Sequence, residues 1–329
     1  MGSGGGYWFC LIILGVVLDW LIGDPRWLPH PIVLMGKTIS FLNKKLNRGN
    51  HKKAKGFVLL FLVLGLTGGI IFLIQILLYQ IHILLYLAFN LYLIMTSLAA
   101  KTLSVEVKKV KDALMSGNLQ EARVQIGYLV GRDTSELSGK EIIRATVETT
   151  AENTIDGILA PLFYLFLGLF IPVTWLNPGI LVMLYKATNT MDSMVGYIQE
   201  PYKDLGYAAA KFDDFLNFIP ARIGSWFMLL GGMVLGFNIK EGYRIYKRDR
   251  SKHKSPNSGH PESVVAGLLG IQLGGNNQYF GEVLEKPTIG DPTTEMVSFD
   301  IRETISIMYG SEVLVVILSV IMAIIIFSF

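Results

Sequence analysis

The sequence predicts an all-α, polytopic integral membrane protein with about five or six transmembrane helices and polar helical loops. Three observations predict it. Hydrophobic residues make up 51% of the 329 residues, and mean hydropathy is +0.46. Charged residues make up only 17%, against about 25% in a soluble globular domain, so lipid is the expected solvent for part of the chain. Several apolar segments approach or exceed the roughly 20 helical residues that a bilayer core requires. Residues 1–329 read as a single membrane-embedded domain, with polar, site-forming regions at 23–55, 101–157, 186–217 and 238–312.

Met1 to Gly6 reads as a cloning remnant and is set aside. Tyr7–Ile22 is the first candidate span; it has no basic n-region and no A-x-A-like cleavage site, so a retained helix is expected rather than a signal peptide. Gly56–Ala100 is too long for one crossing and divides near Gln80 and His82 into a hairpin of two. Ile158–Trp175 is a fourth candidate, interrupted by Pro161 and Pro172, with Pro178–Tyr185 as a short apolar continuation. Phe218–Phe237 is a fifth, and Val313–Phe329 closes the chain at marginal length. Lys101–Leu119 and Glu141–Asn153 carry a helical rhythm. No strand-rich stretch and no internal repeat is evident.

Basic residues cluster from Lys44 to Lys55, at Lys101 to Lys111, and from Arg244 to Lys254. The positive-inside rule places these three regions in the cytoplasm of a multi-pass cell-membrane protein. The sidedness of 186–217 stays open. The net charge of +3 gives no reason to expect nucleic acid. The lone Cys10 can form neither an internal disulfide nor a cysteine metal cluster.

Four polar constellations stand out. The first surrounds the end of the first span: Asp19, Asp24, Arg26 and His30, in a stretch stiffened by Pro25, Pro29 and Pro31. An interfacial cap accounts for it as well as a site does. The second is Gly131-Arg132-Asp133-Thr134 followed by Arg144, Glu148, Glu152, Asn153 and Asp156. Arg144, Glu148 and Glu152 are four apart and stack on one helical face, which Asp156 extends if the helix continues. Carboxylates and an amide on one face suit Mg²⁺, a hard cation that bridges to phosphate; a solvated face of ion pairs is the plainer account. The third is Lys186, Asn189 and Asp192, then Lys211, Asp213, Asp214, Asn217 and Arg222. The fourth is Asn257-Ser-Gly-His260-Pro-Glu262, a loop that opens a helix and can face an anion. No P-loop, zinc spacing or nucleophile elbow occurs.

In this order, these motifs resemble one family, the adenosylcobinamide-phosphate synthases of cobalamin biosynthesis, membrane proteins called CobD or CbiB. The matching residues are Asp19, Gly23-Asp-Pro25 and Pro29-His-Pro31; Gly131-Arg-Asp-Thr134; Val147-Glu148, Ala151-Glu-Asn153, Asp156-Gly157 and Ala160-Pro-Leu162; Tyr185-Lys186 and Asn189 to Gly196; Phe212-Asp-Asp214, Asn217 and Pro220-Ala-Arg222; and Asn257 to Glu262. The resemblance runs from about Leu18 to Asp291. It implies ATP-dependent amide formation between adenosylcobyric acid and (R)-1-amino-2-propanol phosphate, or a related amino alcohol, giving adenosylcobinamide phosphate. ATP and Mg²⁺ are the implied cofactors; the cobalt corrinoid is a substrate. The implied partners are those two substrates, the bilayer and other membrane enzymes of the corrinoid pathway.

Roles follow from that chemistry. Glu148, Glu152 and Asp156, assisted by Asn153, are expected to hold Mg²⁺, with Asp213 and Asp214 as a second set. Lys186, Arg132 and Arg222 are expected to hold phosphates, and Asp133, Arg144, Asn189, Asp192, Asn257 and Glu262 to complete the substrate site. His30 or His260 would take the proton of the attacking ammonium, with Asp24 orienting a histidine or a metal. A membrane transporter with polar residues along a substrate path is the rival class. Against it, no repeated halves are found, and the polar residues concentrate at helix ends rather than mid-span.

Overall fold

The computed structural model describes residues 4–25, 27–173, 175–279 and 282–328. Arg26, singled out above, lies outside them. The chain is a helical membrane protein. Helix α1 (Gly4–Leu21) covers the first predicted span. Helix α2 (Pro31–Leu46) starts at a proline, with the His30 side chain accepting the Ile32 N–H. The predicted hairpin forms as α3 (Lys52–Ile81) and α4 (Ile83–Ser97), broken at His82. Helices α5 (Ala100–Met115), α6 (Leu119–Gly127) and α7 (Gly139–Thr154) follow. Ser138 and Glu141 form a reciprocal capping box at the start of α7. A π-helical turn (Ile155–Leu159) leads into α8 (Ala160–Gly168). Then come α9 (Pro178–Val195), α10 (Tyr207–Leu216), α11 (Phe218–Val234), α12 (Ile239–Asp249) and α13 (Gly259–Leu269). Strands β1 (Leu273–Tyr279) and β2 (Glu282–Ile289) pair antiparallel, and α14 (Phe299–Ser328) ends the chain.

Among the described residues, three helical stretches are long and apolar enough to cross a membrane: Lys52–Ile81, Ile83–Met115 and Phe299–Ile325. Gly6–Leu21 and Phe218–Val234 are shorter apolar helices. Phe61, Leu73 and Leu77 on α3 are exposed, as are Ile317, Ile321, Met322 and Ile324 on α14, which suits a lipid-facing surface. Three sequence expectations change. Ile158–Trp175 does not form one span, because its helix stops at Gly168, where a Cβ would meet Pro178. The last helix begins at Phe299 rather than Val313: Asp300, Arg302 and Glu303 dilute the apolar signal of a turn whose Ile301 and Ile305 are buried. A two-stranded hairpin occupies a stretch read as strandless.

The chain packs into two compact units of interleaved sequence. The first comprises Met1–Lys101 and Ala160–Leu216. In it α1 packs on α4, and α9 packs on α2, α3, α4, α8 and α10. A buried amide triad ties this unit together: Gln75 Nε2 donates to Asn90 Oδ1 at 2.6 Å, and Asn177 Nδ2 donates to Gln75 Oε1 at 2.8 Å. The second unit comprises Thr102–Leu159 and Asn217–Phe329. Val110, Ala122, Ile126, Ile142 and Ala145 form one core cluster there. Helix α11 crosses α14 at Gly231, where an added Cβ would lie 2.7 Å from the Ser311 nitrogen.

Candidate functional site

In the second unit, α7 presents Arg144, Glu148 and Glu152 as the i,i+4 spacing predicts, with Ile142, Val147 and Ala151 buried. Glu148 is fully engaged. Its Oε2 accepts Arg132 Nη2 at 2.6 Å, and its Oε1 accepts the Gly274 N–H at 2.8 Å. Gly274 has φ +82°, and a Cβ there would collide with the Pro287 carbonyl, so only glycine brings that N–H to the carboxylate. Burial alone would raise the Glu148 carboxyl; the charges of Arg132 and Lys286, and these hydrogen bonds, outweigh it and hold it below the usual range. Arg144 reaches the Asn276 carbonyl at 3.0 Å.

Glu262 lies in the first turn of α13 and is 1% exposed. Apart from the Glu152 side chain, its carboxylate oxygens have no hydrogen-bond partner. Burial pushes its carboxyl well up, and the charges of Glu152 and Glu148 add to this against Lys286. His253 Nδ1 lies 3.4 Å from Glu262 Oε2, and burial followed by Lys286 holds this histidine below its usual value. The π-helical turn carries Asp156 and interrupts the four-residue spacing that would align it with Glu152. Asn153 donates to the Thr149 carbonyl of its own helix at 2.8 Å. Asp133 is a turn-former: its Oδ1 accepts the Ser135 N–H at 3.0 Å and hydroxyl at 2.8 Å, which keep its carboxyl low.

A second group in this unit contains Arg222, Asn257 and His260. Arg222 stacks on Phe218 and donates to Asn257 Oδ1 at 3.4 Å. His260 Nδ1 faces the Tyr246 hydroxyl at 3.1 Å. Burial, then the charges of Arg222 and Arg250, push His260 down to about 4, so it is neutral at physiological pH. Nearby residues were not anticipated from sequence: buried Asp249 accepts Arg248, Lys252 and the Gly290 N–H.

The first unit gathers the remaining candidates. Asp24 Oδ1 and His30 Nε2 are 3.1 Å apart, while His30 Nδ1 accepts the Ile32 N–H at 3.3 Å. Both ring nitrogens are thus engaged, and His30 serves as the cap of α2. Asp19 is buried and accepts the Ala100 N–H at 3.0 Å, so it caps α5. Lys186 is buried on α9, and Asn189 donates to Asp213 Oδ1 at 3.4 Å. Asp192 packs against Gly196 at the end of α9. Asp214 pairs with Lys211 at 2.9 Å, so Asp213 and Asp214 take different partners. Arg132, Asp133, Arg144, Glu148, Glu152, Asn153, Asp156, Arg222, Asn257, His260 and Glu262 fall in the second unit; Asp24, His30, Lys186, Asn189, Asp192, Asp213 and Asp214 fall in the first. Among the described residues, no three His, Cys, Asp or Glu side chains are arranged to hold a metal ion by themselves.

His253 was missed from sequence. Its one signal was its position just ahead of the Asn257–Glu262 motif.

A profile of the family described as CobD/Cbib protein matches residues 12–308. The chain is 45% identical over 315 residues to a cobalamin biosynthesis protein CobD of Clostridium acetobutylicum, covering 94% of this chain and 96% of the relative. It is 44% identical over 296 residues to the protein of that name in Listeria monocytogenes serovar 1/2a, covering 89% and 91%. It is 46% identical over 302 residues to that of Streptococcus sanguinis, covering 91% and 92%. No solved structure matches the chain.

Proposed function

Because the chain belongs to the CobD/CbiB family of cobalamin biosynthesis proteins, we propose that it is a multi-pass membrane ligase that joins adenosylcobyric acid to an amino alcohol phosphate at the expense of ATP. One observation carries the reading furthest. Buried Arg132, Glu148, Glu262 and the His253 side chain, with half-buried Glu152 and Lys286, cluster in the second unit on elements outside the long apolar spans. Such a cluster costs stability unless function retains it.

A carboxylate is a poor electrophile and needs activation before an amine can attack. In the proposed sequence, a carboxylate oxygen of the corrinoid attacks the γ-phosphorus of ATP and ADP leaves. The amine nitrogen then attacks the acyl carbon, inorganic phosphate leaves, and one proton is released. Phosphoryl transfer of this kind depends on positioning and charge neutralisation. Mg²⁺ would neutralise the nucleotide phosphates; of the predicted ligand line, Glu148 is taken up by Arg132, and Glu152 is the member one helical turn further along the same face. Arg222, with Asn257, suits the other phosphate group. His260, neutral and only weakly basic, suits a hydrogen-bonding role toward an anion better than that of a base. The basic regions and the need for ATP favour a cytoplasm-facing site.

The buried polar triad Gln75, Asn90 and Asn177 is hydrogen-bonded within itself, which weighs against a polar substrate path through it. The test is product formation by the purified full chain supplied with ATP, adenosylcobyric acid and 1-amino-2-propanol phosphate. ATP consumption should require both other substrates. Consumption indifferent to either one, or no amide product, rules the ligase reading out.

A further inference from the structure

We propose that α11 and α12 form an interfacial hairpin that lies on the bilayer surface, with Lys240 and Lys247 holding the headgroups of anionic lipids. The starting point is a stripe along α11. Ile219, Ile223, Trp226, Leu230, Met233 and Val234 recur at helical spacing on one face, and all are exposed. An apolar strip of that length does not stay in water. Crossing the bilayer would cover it, but α12 argues against a crossing. Gly236, with φ +88°, turns the chain after α11. A Cβ on Gly242 would then lie 3.0 Å from Leu229, and the Tyr243 and Tyr246 rings sit 5.6 and 6.1 Å from the Trp226 ring. Rising numbers on α12 meet falling numbers on α11, so the two helices run antiparallel, side by side. Were α11 to span the membrane, α12 would carry exposed Lys240, Arg244, Lys247 and Arg248 into the hydrocarbon, where charge is costly. The 17 residues of α11 also rise only about 26 Å, against a bilayer core of about 30 Å.

The level of α11 is set by α14. The two helices cross where a Cβ on Gly231 would lie 2.7 Å from the Ser311 nitrogen. Ser311 stands between the charged first turn of α14, with Asp300, Arg302 and Glu303, and the exposed apolar run that begins at Val313. The crossing therefore sits at the membrane boundary. Tryptophan and tyrosine favour that level, and exposed Tyr243 lies against exposed Trp226, so α11 and α12 share one surface there. Lys240, Tyr243 and Lys247 follow i, i+3, i+7 spacing on one face of α12, and all three are exposed. Arg244 and Arg248 are taken up by Glu241, Asp249 and Asp291. Lys240 and Lys247 form no ion pair among the described residues. An apolar stripe that dips into the acyl boundary, flanked by unpaired lysines, complements an anionic leaflet. The inference does not depend on the ligase reading.

The test uses the full chain in vesicles of phosphatidylcholine and phosphatidylglycerol, on a Cys10→Ser background because Cys10 is exposed. Ile219→Cys, Ile223→Cys, Leu230→Cys and Met233→Cys are spin-labelled one at a time, and electron paramagnetic resonance with oxygen and a water-soluble nickel complex reads their depth. All four labels are expected at one shallow depth of about 5–10 Å. A crossing helix would spread them over roughly 20 Å along the membrane normal, and a depth maximum at mid-helix overturns the proposal. Labels closed to oxygen and broadened by a neighbouring label would put a second copy on the stripe, and overturn it too. Spin-labelled phosphatidylglycerol should be enriched at the protein over spin-labelled phosphatidylcholine. Lys240→Gln with Lys247→Gln should lower that enrichment at least twofold, and Lys240→Arg with Lys247→Arg should keep it. Lys140→Gln, at an exposed ion pair with Glu295, should leave it as in the parent. Thermal melting checks that each variant is folded. Unchanged enrichment in the double glutamine variant overturns the anionic-lipid assignment.

Discussion

Removing the Arg132 guanidinium while keeping Glu148 strands a carboxylate that is 2% exposed. Breaking a buried pair in this way costs about 3–5 kcal/mol. Arg132→Ala is therefore expected to lower the melting temperature sharply, and Arg132→Met with Glu148→Leu to recover part of the loss. Equal melting of the single and double variants would show that the pair is not the source. His260 sets a pH dependence. Its folded value of about 4 lies below the ordinary 6.5, so the unfolded chain binds the proton more readily between those values. Stability then falls as pH drops from 6.5 toward 4, by up to about 3 kcal/mol. His260→Gln should flatten that limb of the melting profile; an unchanged limb assigns it to another group. At this scale the sequence was informative where partners share a helix. Arg144, Glu148 and Glu152 are visible from spacing alone. That Arg132 and the Gly274 amide both meet Glu148 is not, because a loop and a hairpin bring them from elsewhere in the chain.

Helix α11 meets α14 through Gly231, Gly310 and Ser311. Close approach through small residues is how helices associate where lipid offers no hydrophobic gain. Gly231→Leu should cost about 1–3 kcal/mol by overpacking, read as a lower melting temperature in detergent. A neutral result would mean that the two helices are held by other contacts. Element by element, the apolar rhythm located α1, the α3–α4 hairpin, α5 and α7, because period and length speak together there. It failed where signals conflict. The charged first turn of α14 hid fourteen residues of helix, and the glycines and proline of the β-hairpin imitate a loop. The π-helical turn has no sequence signature of its own, so the displacement of Asp156 was invisible.

Across the whole molecule, sidedness is the expectation most open to direct measurement. Lys203 and Lys254 are expected to face the cytoplasm. Each is tested as a single cysteine on a Cys10→Ser background, since Cys10 is an exposed thiol. Lys254 is preferred to Lys252, which holds Asp249. An impermeant maleimide should label both only after the membrane is opened; labelling of Lys203→Cys in sealed cells would place that region outside. The division into two units was not legible, because hydropathy follows the chain locally and carries no record of which distant stretches pack together.

The interleaving of those units has a consequence for how the protein is made. The first unit has its full complement of residues once Leu216 has left the ribosome. The second has by then only Thr102–Leu159, and waits for everything from Asn217 onward. At roughly 5–20 residues per second, those last hundred or so residues take on the order of ten seconds to synthesise. During that interval Glu148 has Arg132 but not the Gly274 amide. A nascent chain stalled there would expose the unfinished acidic face of α7, which makes that moment of translation the one at which chaperone or insertase engagement matters most.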